Sequence, residues 1–274
     1  MALFCLIFVL SLIAYGVSSF DPEPRGGHMA VLIDKRLYFM GGSKPIPKNS
    51  TFWSPNRQFN LSDEVFYLDL SSPFTIDAPP YMDISSTSQM PFGSEKGTTV
   101  KGNNDLRIFL VGGVQQNIQT LAYDVKTQVW GTSGPGTTGP PLPNRRSTAT
   151  IIDQNGVIYI FGGRVEIDTG SNVFTCFNDM FTFNIDSLVW TNLSLPNSPS
   201  PRSHCSATLM PDGKIIYIGG VNQSIPGQPA SRIVMNEIYV FDTILSTWSL
   251  KAAKIPSFVD IGPRVGHTAV LGKY

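Results

Sequence analysis

"YIFGGR", residues 159–164, is an apolar, strand-like run that ends on two glycines, and "YFMGGS" (38–43), "FLVGGV" (109–114) and "YIGGV" (217–221) end the same way. Glycine weakens a strand interior, so its recurrence at the end of a buried run marks a place where the chain needs positive φ or close backbone approach. Gly41 and Gly42, Gly112 and Gly113, Gly162 and Gly163, and Gly219 and Gly220 therefore predict four equivalent strand exits.

Working outward, each pair is preceded by a common opening: "PRGGHMAVL" (24–32), "PNRRSTATI" (143–151), "PRSHCSATL" (201–209), and a degenerate "GSEKGTTVK" (93–101). A further opening, "PRVGHTAVL" (263–271), stands near the end of the chain. Aligned on the small residue, the openings bring Ala30, Thr99, Ala149 and Ala207 into one slot. Downstream of each pair comes an aromatic run ending on Asp or Asn: "EVFYLDL" (64–70), "TLAYDV" (120–125), "DMFTFNI" (179–185) and "NEIYVFDT" (236–243). A bulky ring follows that polar residue: Phe74, Trp130, Trp190 and Trp248. Each unit thus supplies four strands, and self-similarity on this scale takes precedence over any single motif.

This three-part pattern resembles the kelch repeat, whose period is roughly 50 residues. The resemblance covers about residues 24–274 and implies an all-β propeller with four complete four-stranded blades and the start of a fifth. Kelch rings close with more blades, so it also implies that the sequence is a piece of a longer chain. On this reading Trp130, Trp190 and Trp248 fill the space between blades. An open ring predicts exposed apolar blade faces and poor solubility of the chain alone.

The composition agrees with an all-β protein. The chain has 274 residues, 42% apolar and 15% charged, with 25 glycines and 21 prolines, and 20 basic side chains balance 20 acidic ones. That balance gives no field to attract nucleic acid or anionic lipid. Residues 1–19 differ: an apolar stretch from Leu3 to about Tyr15 is followed by Gly16, Ser18 and Ser19, the layout of a secretory signal cleaved after Ser19, with an uncleaved anchor as the alternative. The propeller then occupies residues 20–274. Four sequons, at Asn49, Asn60, Asn192 and Asn222, agree with passage through the secretory pathway. Removing the signal leaves Cys176 and Cys205, which fit either one disulfide or two small buried thiols. Membrane attachment would require an anchor downstream of residue 274.

The segments between glycine pair and aromatic run, 43–63, 164–178 and 221–235, put long loops on one rim, where recognition is expected. Trp53, Arg57 and Phe59 form a candidate binding patch, and Arg164, Glu166 and Arg232 are candidate polar contacts. The recurring Arg25, Arg145, Arg202 and Arg264 suggest a scaffold role, and Asp63 and Glu64 read as solvated charges at a strand entrance. His28 and His267 share one slot of the opening, whereas His204 is out of register. The resemblance extends to the copper-dependent galactose oxidases, but their ligand motifs find no counterpart here. The chain has neither a nucleophile elbow, a zinc-protease motif nor a P-loop lysine, and "SGPGTTGPP" (133–141) reads as a turn-rich linker. The expectation is a secreted or lumenal, non-enzymatic scaffold for a protein or glycan partner, with no cofactor and no metal. The alternative is an extracellular copper-dependent carbohydrate oxidase.

Overall fold

The computed structural model describes residues 20–272 apart from 103–105, 115–119, 133–136, 194, 255 and 257–260. The expected signal at residues 1–19 lies outside this range. Four antiparallel sheets of four strands each carry the fold, and within each sheet the main strands pair in chain order. Blade 1 comprises Met29–Ile33, Arg36–Met40, Val65–Asp69 and Tyr81–Asp83; blade 2, Thr98–Lys101, Arg107–Val111, Thr120–Asp124 and Val129–Thr132. Blade 3 comprises Ala149–Ile152, Val157–Phe161, Met180–Asn184 and Val189–Leu193; blade 4, Ser206–Leu209, Lys214–Ile218, Glu237–Asp242 and Thr247–Ala252. The first strands of successive blades lie side by side, which makes them innermost. The start of a fifth unit runs alongside blade 4, where Thr208 Oγ1 donates to the Ala269 carbonyl at 3.3 Å.

Strand alternation explains how the blades stack. In blade 2, Ile108 and Leu110 point back to Tyr38, Met40 and Val65 of blade 1, while Phe109 and Val111 point forward to Ile158, Ile160 and Phe183 of blade 3. Tyr159 and Phe161 of blade 3 in turn meet Ile215, Tyr217 and Phe241 of blade 4. Each core therefore lies between two blades. The tryptophans join these cores as expected: Trp190 stacks on Phe183 at 4.6 Å, Trp248 packs on Phe161 at 4.9 Å, and Trp130 packs on Tyr123 while its indole N–H reaches the Ser88 carbonyl at 2.8 Å.

Phe74 does not fill the equivalent slot in blade 1. Trp130, Trp190 and Trp248 pair with Tyr123, Phe183 and Phe241 of the third strands, and the corresponding pair in blade 1 is Leu68 with Tyr81. Phe74 is exposed on the segment between them. The difference lies in the turn. In blades 2 to 4 the terminal Asp124, Asn184 or Asp242 accepts two backbone N–H bonds at 2.7–3.0 Å, and Gln128, Leu188 or Ser246 then adopts positive φ to reverse the chain. Blade 1 has Pro73, Pro79 and Pro80 in this stretch, whose fixed φ and missing N–H exclude so tight a return.

The opening alignment also slips by one residue in blade 3. Pairing opposite the strand-two residue before the glycines puts Ala149 with Met29, Thr98 and Ser206, so Thr150 stands where Ala30 and Ala207 stand.

Candidate functional site

The glycine pairs are clasps between blades. The second glycine donates its N–H to the next opening: Gly42 to the Ser94 carbonyl, Gly113 to Arg145, Gly163 to Arg202 and Gly220 to Arg264, at 2.8–3.0 Å. That carbonyl lies against the first glycine of the pair. A Cβ on Gly112, Gly162 or Gly219 would lie 3.0, 2.5 or 2.9 Å from it, and both glycines of each pair have positive φ. Close approach and φ thus act together.

The opening arginines are scaffold. Arg25 donates to Glu64 at 2.7 Å and to the Gly41 carbonyl at 3.3 Å; Arg145 grips Asp179 through two nitrogens at 2.5 and 3.0 Å and reaches the Gly162 carbonyl at 3.1 Å; Arg202 meets Glu237 at 3.0 Å. Each guanidinium also lies over a third-strand ring, Phe66, Phe181 or Tyr239. Glu64 is therefore no merely solvated charge: burial alone would raise its pKa, but hydrogen bonds from Lys44 and Arg25 outweigh that and lower it. Blade 2 loses both charges, with Ser94 in the arginine slot and Gln at position 119 before its third strand.

Two residues after each arginine, or after the Ser94 that replaces it in blade 2, the chain turns left-handed at the mouth of the central channel. Gly27, Lys96, Ser147, His204 and Gly266 all have φ between 56° and 64°. Their backbones form a continuous chain around the axis: Lys96 N–H to Gly27 O, Ser147 to Lys96, His204 to Ser147 and Gly266 to His204, at 2.7–3.1 Å. The channel they surround is a cavity of about 490 Å³, also lined by His28, Thr148 and His267. Sequence reading missed this ring because it aligned the openings on the small residue. Counting from the arginine would have exposed it and placed His204 in the slot of Gly27 and Ser147, one residue before His28 and His267.

His204 has both nitrogens engaged, Nε2 with Ser147 Oγ at 3.0 Å and Nδ1 with Ser203 Oγ at 3.1 Å. The Ser147 contact has the form of a nucleophile and its base. Burial, reinforced by Arg164, Lys96 and Arg146, lowers the His204 pKa to about 4, so the imidazole is a poor proton acceptor. Among the described residues no three His, Cys, Asp or Glu side chains converge to hold a metal.

The rim segments are hairpins, not irregular loops. Ser43–Pro45 pairs with Phe59–Leu61, Arg164–Val165 with Thr175–Cys176, and Val221–Asn222 with Ser231–Arg232. All three start beside an opening, through Gly26 and Ser43, Arg146 and Arg164, and Arg202 and Asn222, so they stand around the channel mouth. Arg57, Phe59 and Phe52 line one exposed bowl, while Trp53 is half-buried in the preceding turn. Arg164 and Glu166 pair at 2.7 Å and join Arg146, which also binds Glu95 and Asp168. Burial opposes the charge on Glu166, yet Arg146 and Arg164 hold its pKa down. These two candidates thus pin the third opening, and Arg232 is exposed on a separate hairpin. Asn49, Asn60 and Asn192 are exposed, and Asn222 is half-buried in a central strand.

Of the two options for the cysteines, the structure takes the unbonded one. Cys176 sits in the second of these hairpins with its Sγ 3.8 Å from Ser203 Oγ, whereas Cys205 packs into the core between blades 3 and 4. Burial raises both thiols, Cys205 to about 11.

A family model described as the KLHDC2/KLHL20/DRC7 Kelch-repeats domain matches residues 82–273. The chain belongs to the kelch-repeat family. Kelch domain-containing protein 1 of Mus musculus is 30% identical over 155 residues, 55% of this chain and 33% of that protein. Kelch-like protein 41a of Danio rerio is 28% identical over 205 residues, 73% of this chain and 29% of that protein. The kelch chain described here thus spans about a third of the length of these relatives. N-acetylneuraminate epimerase of Pasteurella multocida is 33% identical over 81 residues, 30% of this chain and 20% of that protein. The solved structure of YjhT shares the kelch fold, with a TM-score of 0.65 over 92% of this chain and 76% of that one at 14% identity.

Proposed function

We propose that this kelch chain is a non-enzymatic recognition scaffold of the secretory pathway whose partner, a protein or a glycan, is read at the channel mouth. The observation that carries the reading is the ring of Lys96, Ser147 and His204, displayed with His28 and His267 on a backbone locked by blade-to-blade hydrogen bonds. Such a site is preorganised, so binding orders few groups. Hydroxyls, neutral imidazoles and one ammonium suit hydroxyl-rich or carboxylate-bearing ligands. Kelch relatives support a scaffold, and the match to a protein named for an epimerase of a sugar acid agrees with the glycan side of the reading. The apolar N-terminus and four sequons support the compartment.

The test places a photo-crosslinking residue at Lys96 or, on the opposite rim, at Gln154 of the full chain expressed in secretory cells. Adducts are expected from position 96 alone. Equal labelling from both positions would overturn the site. Stoichiometric copper with peroxide release on sugars would replace the scaffold by the oxidase.

A further inference from the structure

The bowl beside the first hairpin holds about 640 Å³ and is lined by Phe52, Arg57, Phe59, Asn60 and Leu61. Its apolar side chains are open to solvent, with Phe52 65%, Phe59 59% and Leu61 42% exposed. Asn60 stands among them as the acceptor of an Asn-Leu-Ser sequon. Arg57 Nη2 donates to Asn60 Oδ1 at 3.1 Å, which fixes the amide and leaves Nδ2, the atom that would bond to sugar, as its free end. We propose that Asn60 carries an N-linked glycan whose first N-acetylglucosamine lies over Phe52, Phe59 and Leu61, so that this patch is the seat of the chain's own glycan and not a docking surface.

The attachment forms a bond from Asn60 Nδ2 to the sugar C1 and breaks the bond from C1 to the pyrophosphate of a lipid-linked oligosaccharide. The pathway's transferase takes the Nδ2 proton. A pyranose ring has an apolar face of C–H groups that matches an aromatic face, and its hydroxyls turn the covered surface polar. The other exposed sequons lack this setting, since the bowl lies around Asn60 and includes neither Asn49 nor Asn192. The inference rests on the secretory reading, and it moves Arg57 and Phe59 from partner contact to glycan support.

The experiment expresses the full chain with its own N-terminus in eukaryotic secretory cells and maps glycopeptides by mass spectrometry. It then measures fluorescence of 1-anilinonaphthalene-8-sulfonate on wild type, Asn60→Gln, and Asn60→Gln combined with Phe52→Ser and Phe59→Ser. Asn60 occupied, a several-fold rise in dye signal for Asn60→Gln, and its reversal in the triple variant are expected. Glycans on Asn49 or Asn192 with Asn60 empty would overturn the inference while leaving the secretory reading intact. No glycan at any sequon would overturn both. An occupied Asn60 whose loss leaves the dye signal unchanged would overturn the covering role.

Discussion

At the scale of single residues, the diglycine is where sequence and structure meet most directly. Gly162 has φ 65°, and a methyl there would lie 2.5 Å from the Arg202 carbonyl and 3.2 Å from the Phe177 carbonyl. Both obstacles are backbone, which a rotamer change cannot relieve. Gly162→Ala is expected to destabilise the fold by about 2–4 kcal/mol, from left-handed strain plus a forced shift between blades 3 and 4. Equilibrium urea unfolding checks it, and Gly170→Ala is the control, since it shares positive φ but has nothing within 4 Å. His204 gives a second prediction. Burial first, then Arg164, Lys96 and Arg146, lowers its pKa to about 4 from an ordinary 6.5. The unfolded chain therefore takes up a proton in the interval from 6.5 to 4 that the folded chain refuses. The stability contribution is complete above pH 6.5 and declines as pH falls toward 4, by at most about 2 kcal/mol once solvent screening is allowed for. His204→Gln should flatten that part of the unfolding free energy against pH relative to wild type. Parallel curves would refute the assignment.

At the scale of elements, what was legible followed from covalent necessity. The glycine pairs, the interblade tryptophans and the turn-capping Asp124, Asn184 and Asp242 each have few chemical substitutes, so their spacing revealed the blades. Tyr81 was hidden because a proline-bearing excursion separates it from Asp69, and the nearer Phe74 comes within one residue of the spacing without fitting the register. The slip at Ala149 has a similar origin: small residues occur on both faces of an innermost strand, and the arginine two residues before the left-handed turn is the better anchor. The channel-mouth ring was illegible because its slot is defined by backbone conformation. Gly27, Lys96, Ser147 and His204 share φ, not chemistry. The hairpins of the rim were hidden for another reason, since strands of two or three residues show little alternation.

At the scale of the molecule, the four blades form an arc with two faces that no complete blade covers. On blade 1 the backward-facing set is Leu37, Phe39, Phe66, Leu68 and Tyr81, the counterparts of residues that elsewhere pack on a preceding blade. Phe20 packs on Phe66 at 5.4 Å and Arg25 lies over the same ring, which buries Phe66 but leaves Phe39 and Tyr81 half-open. On blade 4 the forward-facing set is Ile216, Ile218, Ile238 and Val240, all half-open. The hydrogen-bond chain around the channel is likewise open, from the Gly27 N–H to the Gly266 carbonyl. Each face offers the chemistry that joins blades inside the arc, and the two are complementary in kind, so copies of the chain can meet head to tail without closing. The chain by itself is therefore expected to self-associate in proportion to concentration. Ile216→Lys with Val240→Lys should shift sedimentation toward the monomer, because a charge cannot enter an apolar interblade core without a partner. A sharply monodisperse wild-type monomer that unfolds cooperatively would show that the two faces do not need covering.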